Sequence, residues 1–233
     1  MEETRPVGNA TSGKVTSGNA TSGKVTPEHR LIERLRAARV VPVVRTSTAR
    51  LAATAVGWLR DAGLRIFEIT MTIPDAPALI RELAADPGLL VGAGTVPDAA
   101  TAAVCLEAGA RFIVAPWVDA SLAAPCRAAD AVLMLGALTP TEVRAALAAG
   151  ADVVKVFPAS SAGGPGHIRA LRSVLPSVAF CPTGGVEPGN VAAYLAAGAA
   201  FVGMGGALVD ERRIAAGDRA AIESAAQLVM AGG

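Results

Sequence analysis

From residue 27 onward, short apolar runs alternate with longer Ala- and Leu-rich stretches of helical periodicity. The runs are Val40–Arg45, Arg65–Thr70, Leu89–Ala93, Phe112–Ala115, Ala131–Leu135, Val153–Val156, Val178–Cys181 and Ala200–Gly203, eight in all. Runs of this length predict strands, and the stretches between them predict helices. A short amphipathic helix is expected ahead of the first run, over His29–Ala38. Ser47 or Thr48, Asp98, Asp119 and the Thr139-Pro140 pair are placed to cap helix starts. Ala-Gly pairs at Ala62-Gly63, Ala108-Gly109, Ala149-Gly150 and Ala197-Gly198 are placed to end helices, glycine taking the left-handed cap. Strict strand–helix alternation implies a parallel sheet. Eight such units in about 200 residues predict an α/β fold, a single (β/α)8 TIM barrel with a short N-terminal helix. An open doubly wound sheet is the alternative, and no strand here is followed by GxGxxG.

The first 26 residues break the pattern. Residues 8–17 read GNATSGKVTS and residues 18–27 read GNATSGKVTP. Two copies of a small, polar decapeptide are too few for a solenoid. They bury too little apolar area to offset the entropy of ordering. Residues 1–26 are therefore expected to be a disordered repeat-containing tail, with one domain over 27–233. Each copy imitates a phosphate-binding G-x4-G-K loop, but Val15 and Val25 stand where a hydroxyl should hold magnesium, and no apolar strand precedes either. The N-x-[ST] sequons at Asn9 and Asn19 matter only in a secreted protein.

Composition narrows the partners. Apolar residues make up 52% of the chain and aromatics only 3%, so small aliphatics must build the core. A formal net charge of +1 offers nothing to nucleic acid or to a membrane surface. No apolar run is long enough for a transmembrane helix, and the N-terminus lacks a signal-peptide core. Cys105, Cys126 and Cys181 form no CxxC pair and read as reduced thiols, which predicts a cytoplasmic protein.

Barrel chemistry gathers at the C-terminal strand ends, where side chains alternate inward and outward. Lys155 shares a face with Val153 and Phe157, and Glu68 with Ile66 and Thr70. Arg45 shares a face with Val41 and Val43, and Thr95 with Val91 and Ala93. Thr183 follows the seventh run. If these polar residues face inward, Arg45, Glu68, Thr95, Lys155 and Thr183 converge on one pocket.

The chain has three lysines, Lys14, Lys24 and Lys155, and the first two lie in the tail. The body therefore uses arginine for every other basic position yet keeps lysine inside an apolar strand. An arginine would serve a salt bridge as well; only a lysine can lose its proton and attack a carbonyl. The plainer alternative is a buried ion pair with Glu68 or Asp152. Glu68 reads equally as that lysine's counter-charge or as a general acid/base, and the two roles are compatible. Gly184 and Gly185, with Gly203, Gly205 and Gly206 after the eighth run, suit a backbone phosphate cradle or simple loop punctuation. His29 and His167 stand in no ligand-spaced cluster, so no metal site is expected. Ser160 and Ser161 lack the context of a nucleophilic serine.

From about Leu31 to Leu208 the chain resembles the 2-keto-3-deoxy-6-phosphogluconate (KDPG) aldolases, also called 4-hydroxy-2-oxoglutarate (KHG) aldolases. The resemblance rests on Val41-Pro-Val-Val-Arg45, Phe67-Glu-Ile-Thr-Met-Thr72, Val91-Gly-Ala-Gly-Thr-Val96, Val154-Lys-Val-Phe-Pro158 and Cys181-Pro-Thr-Gly-Gly-Val186, in family order. It implies a class I lyase of carbohydrate metabolism, in the Entner–Doudoroff pathway, with Lys155 as the Schiff-base residue and Glu68 as the general acid/base. It implies that Thr95 and Thr183 surround the pyruvyl group, that Pro116 and Phe157 form pocket walls, and that Gly184 and Gly185 cradle phosphate. It implies a homotrimer with no cofactor, whose partners are a 2-keto acid and a phosphorylated aldehyde. Two positions depart from the family pattern. Many members carry arginine where Thr72 stands, so Arg45 is expected to supply the charge for the substrate carboxylate. Many carry serine where Gly206 stands, leaving its backbone amide for the phosphate, with Gly205 beside it.

The rival readings are a galactonate-isomer or KHG substrate, a non-covalent phosphate-binding isomerase or epimerase using Glu68 as base, and a barrel that binds without turnover.

Overall fold

The computed structural model describes residues 27–231, so the expected tail over 1–26 lies outside the described residues. Helix α1 (Pro27–Ala38) comes first. Seven strand–helix pairs follow: β1 (Val40–Val44) and α2 (Ala49–Asp61), β2 (Ile66–Thr70) and α3 (Ala76–Ala84), β3 (Leu90–Gly94) and α4 (Ala99–Glu107), β4 (Phe112–Ala115) and α5 (Ala123–Ala128), β5 (Val132–Gly136) and α6 (Pro140–Ala148), β6 (Val153–Val156) and α7 (Gly164–Val174), β7 (Phe180–Pro182) and α8 (Val191–Ala196). The chain ends with β8 (Val202–Met204), α9 (Glu211–Ala215) and α10 (Arg219–Ala231).

The strands form one parallel sheet in the order β7-β6-β5-β4-β3-β2-β1-β8, and a parallel Thr183–Gly203 bridge joins its ends. This is the expected (β/α)8 barrel. Local chemistry sets its elements. Thr48 caps α2, Asp98 caps α4, and Thr139 closes a capping box with Glu142 at α6. Gly63, Gly109, Gly150 and Gly198 all take positive φ, between 96 and 112°, as left-handed helix stops must. The last two strands start two residues later than the apolar runs suggest, although Ala179 and Ala200 just ahead of them already take part in ladder-type bonds.

Alternation sorts the core into two shells. Phe67, Ile69, Val91, Ala93, Val154 and Val156 face the helices in the larger cluster. Val41, Ile66, Leu90, Phe112, Val132, Val153 and Phe201 face inward at the N-terminal end, where Leu31 and Leu35 of α1 close the floor. Leu35 is fully buried, which contributes roughly 1.5–3 kcal/mol for a side chain of its size.

Candidate active site

One residue further along the inward face of β2 and β6, the apolar floor gives way to polar chemistry. Lys155 follows Val153 on β6, and Glu68 follows Ile66 on β2; each is only 4% exposed. Lys155 Nζ donates to Glu68 Oε1 at 3.2 Å. Burying either charge alone would be costly, and the pairing offsets that cost. The ammonium also lies 5.9 Å from the centre of the Phe157 ring.

Inward glycines make room for these groups. A Cβ at Gly94 would overlap Glu68 Oε1, and one at Gly203 would overlap Thr183 Oγ1. A Cβ at Gly92 would overlap the Phe112 ring of the layer below. Cys181 pairs in register with Lys155. Burial pushes its thiol up to about 12, Glu68 adding to the rise and Lys155 opposing it, so it stays protonated.

Above Lys155 opens a cavity of about 290 Å³ lined by Val43, Arg45, Thr95, Pro116, Lys155, Phe157 and Thr183. Six of these were expected from sequence. Val43 was missed as a wall, although its parity with Arg45 and Val41 signals it. Arg45 Nη2 donates to Thr95 Oγ1 at 3.1 Å. The route by which Thr95 arrives corrects the parity reading. Val91 and Ala93, whose face Thr95 was expected to share, point outward to the helices. Thr95 nonetheless reaches the cavity because β3 ends at Gly94 and the next residue turns left-handed, at φ 55°. That conformation is costly for a β-branched residue and is typical of functional positions. Glu211 accepts from both the amide and the hydroxyl of Ser47, which ties the loop behind Arg45 to the segment after β8.

The remaining expected residues lie around this centre. Thr72 is exposed and does not line the cavity; its hydroxyl bonds Thr70 Oγ1 at 2.8 Å, which in turn donates to the Val44 carbonyl. Gly184 and Gly185 take φ of 90 and 73° after β7, and a Cβ on Gly184 would press on the Phe157 ring. Gly205 and Gly206 begin the turn after β8. A second cavity of about 370 Å³ shares Pro116 and Phe157 with the first. Its one carboxylate, Glu142, is engaged at the start of α6. Gly94 is the positioning residue that sequence reasoning missed; glycine inside a strand marks such a close approach. Among the described residues no group of His, Cys, Asp or Glu could hold a metal ion.

A buried lysine–carboxylate pair under a small cavity, at the C-terminal ends of a (β/α)8 barrel, is the equipment of an aldolase-type lyase. Residues 31–225 match the family described as "KDPG and KHG aldolase". The chain belongs to that family. It is 34% identical over 200 residues to the 2-dehydro-3-deoxy-phosphogluconate aldolase of Treponema pallidum, covering 84% of this chain and 94% of the relative. It also resembles the Legionella pneumophila KDPG aldolase with pyruvate captured as a covalent carbinolamine: 30% identity, TM-score 0.77, 88% of this chain and 98% of that one. A native KDPGal structure is similar at 30% identity and TM-score 0.72, covering 83% and 93%.

Proposed function

We propose that this protein is a class I aldolase that cleaves 2-keto-3-deoxy-6-phosphogluconate to pyruvate and glyceraldehyde 3-phosphate through an imine on Lys155. The observation that carries the proposal is the 3.2 Å Lys155–Glu68 contact beneath the cavity. Lys155 passes its proton to Glu68 and attacks the C2 ketone, and Glu68 returns that proton as water leaves, giving the protonated imine and a free Glu68 carboxylate. Glu68 takes the proton of the C4 hydroxyl, the C3–C4 bond breaks, and its electrons pass into the imine to form the enamine. Glu68 gives that proton to C3 of the enamine, and water hydrolyses the resulting imine, releasing pyruvate and Lys155. Thr95 and Thr183 border the pyruvyl group, while Pro116 and Phe157 hold it from the side. Arg45 meets the substrate carboxylate, a role for which the neutral Thr72 carries no charge. The amides around Gly184, Gly185, Gly205 and Gly206 receive the phosphate. The same site cleaves 4-hydroxy-2-oxoglutarate to pyruvate and glyoxylate.

The second reading is the C4-epimeric galactonate substrate. It is favoured by the placement of the pocket's arginine just beyond β1 rather than at residue 72, and by the similarity to the KDPGal chain. We further place the activity on one domain from residue 27 onward, in a cytoplasmic homotrimer of the Entner–Doudoroff pathway. Exposed Trp117, Val118 and Phe157 beside the mouth support assembly, and three buried free thiols support a reducing compartment.

Borohydride reduction with pyruvate, followed by a tryptic map, tests the covalent step. An adduct on Lys155 blocks cleavage there and fuses the peptides 145–155 and 156–169 into one. Separate, unmodified peptides from folded protein would transfer the assignment to a non-covalent isomerase or epimerase.

A further inference from the structure

Ser160 lies in the loop between β6 and α7, five residues beyond Lys155. This loop runs beside the one after β7. The Ala159 amide donates to the Thr183 carbonyl at 2.8 Å, and the Ser160 amide donates to the Gly184 carbonyl at 3.0 Å. The consequence is that the Ser160 side chain is laid directly on Gly185. A Cβ at Gly185 would overlap both the Cβ and Oγ of Ser160. Gly185 is thus constrained twice, by its φ of 73° and by the serine on its face.

The Ser160 hydroxyl is exposed and bonds no other described residue. The Gly184 and Gly185 amides of the neighbouring loop donate to no described acceptor, and neither do those of Gly206 and Ala207 after β8. The Thr183–Gly203 bridge holds these two loops side by side. A rotatable donor therefore stands at the edge of a cluster of unspent backbone donors, next to the catalytic cavity. Ser161, one residue on, makes no comparable approach to any glycine.

We propose that the Ser160 hydroxyl donates to the terminal phosphate of the substrate, beside the Gly184 and Gly185 amides, and so helps select phosphorylated over unphosphorylated keto acids. This rests on the phosphate-directed aldolase reading given above. A hydrogen bond to a charged acceptor sets the scale of the effect at about 10- to 100-fold.

The test is the ratio of kcat/KM for 2-keto-3-deoxy-6-phosphogluconate to that for unphosphorylated 2-keto-3-deoxygluconate. It is measured in wild type, Ser160→Ala and Ser161→Ala. Pyruvate trapping by borohydride, which needs only the lysine pocket, confirms in each variant that the site is intact. The expected result is a wild-type ratio well above one that falls about 10-fold or more in Ser160→Ala and holds in Ser161→Ala. An unchanged ratio in Ser160→Ala, or equal losses in both variants, overturns the role of Ser160 while leaving the aldolase reading standing. A wild-type ratio near one overturns the phosphate reading itself, and the proposal with it.

Discussion

The two ends of this barrel are built from the same inward-facing positions and do opposite things. At the N-terminal end, Ile66, Val153 and their neighbours meet Leu31 and Leu35 in a dry apolar floor. Two residues further along the same strands, Glu68 and Lys155 stand just as buried but charged. Side-chain direction is identical in the two layers, so the difference lies entirely in residue choice. The floor contributes burial without specific partners. The upper layer gives up apolar contacts for an ion pair whose worth is chemical, and which an apolar pair could replace with little loss of stability.

The sharpest way to break this contrast is Lys155→Arg. It keeps the charge and the Glu68 pairing, yet turnover should fall by more than about 1,000-fold, while circular dichroism and the melting temperature stay close to wild type. Leu35→Ala is its mirror image. Chemical denaturation should show a loss of roughly 2–5 kcal/mol, with kcat at 25 °C changed by less than about twofold. Gly94→Ala probes the boundary between the layers. Its methyl group displaces the Glu68 carboxylate, so kcat should drop about 10- to 100-fold while borohydride trapping of pyruvate persists. Loss of trapping would mean that the alanine disturbs the lysine as well.

The smallest effect belongs to the outer helices. Removing the α6 cap with Thr139→Ala should cost about 1 kcal/mol. The Thr139 and Leu138 amides and the Thr139 hydroxyl hold Glu142 below its ordinary value of 4.5. A depressed carboxyl stabilises the fold above its unfolded pKa, and that contribution is lost as the pH falls through the folded value. The gap between wild type and variant should therefore be widest above pH 4.5 and narrow below it. A gap independent of pH would mean that the Thr139 hydroxyl does not act on the Glu142 carboxylate, whose two amide partners the variant keeps.

Most of this architecture is legible in the sequence because barrel strands obey a period of two. Ile66, Glu68 and Thr70, like Val153, Lys155 and Phe157, declare their face by spacing alone. The helix stops are equally plain, since four Ala-Gly pairs each need a positive φ. Thr95 shows where that logic fails. Alternation holds only while the chain stays extended, and one left-handed residue sends a side chain to the opposite side. Gly94 was illegible for another reason: its role is to be empty, and which carboxylate fills that space depends on the cross-strand register. Ser160 belongs to the same kind, because its placement depends on how two loops from distant parts of the chain lie against each other.

The sealed floor carries a kinetic consequence. Among the described residues α1 stops the N-terminal end, and the cavity over Lys155 has its mouth on the far side. For the cleavage proposed above, the fragment attached to the lysine is the deeper of the two and the aldehyde is the outer one. The outer fragment must depart before the inner one, and in the synthetic direction it must arrive second. Product release is then compulsorily ordered by the shape of the barrel, and pyruvate should inhibit as the competitor that meets the empty enzyme.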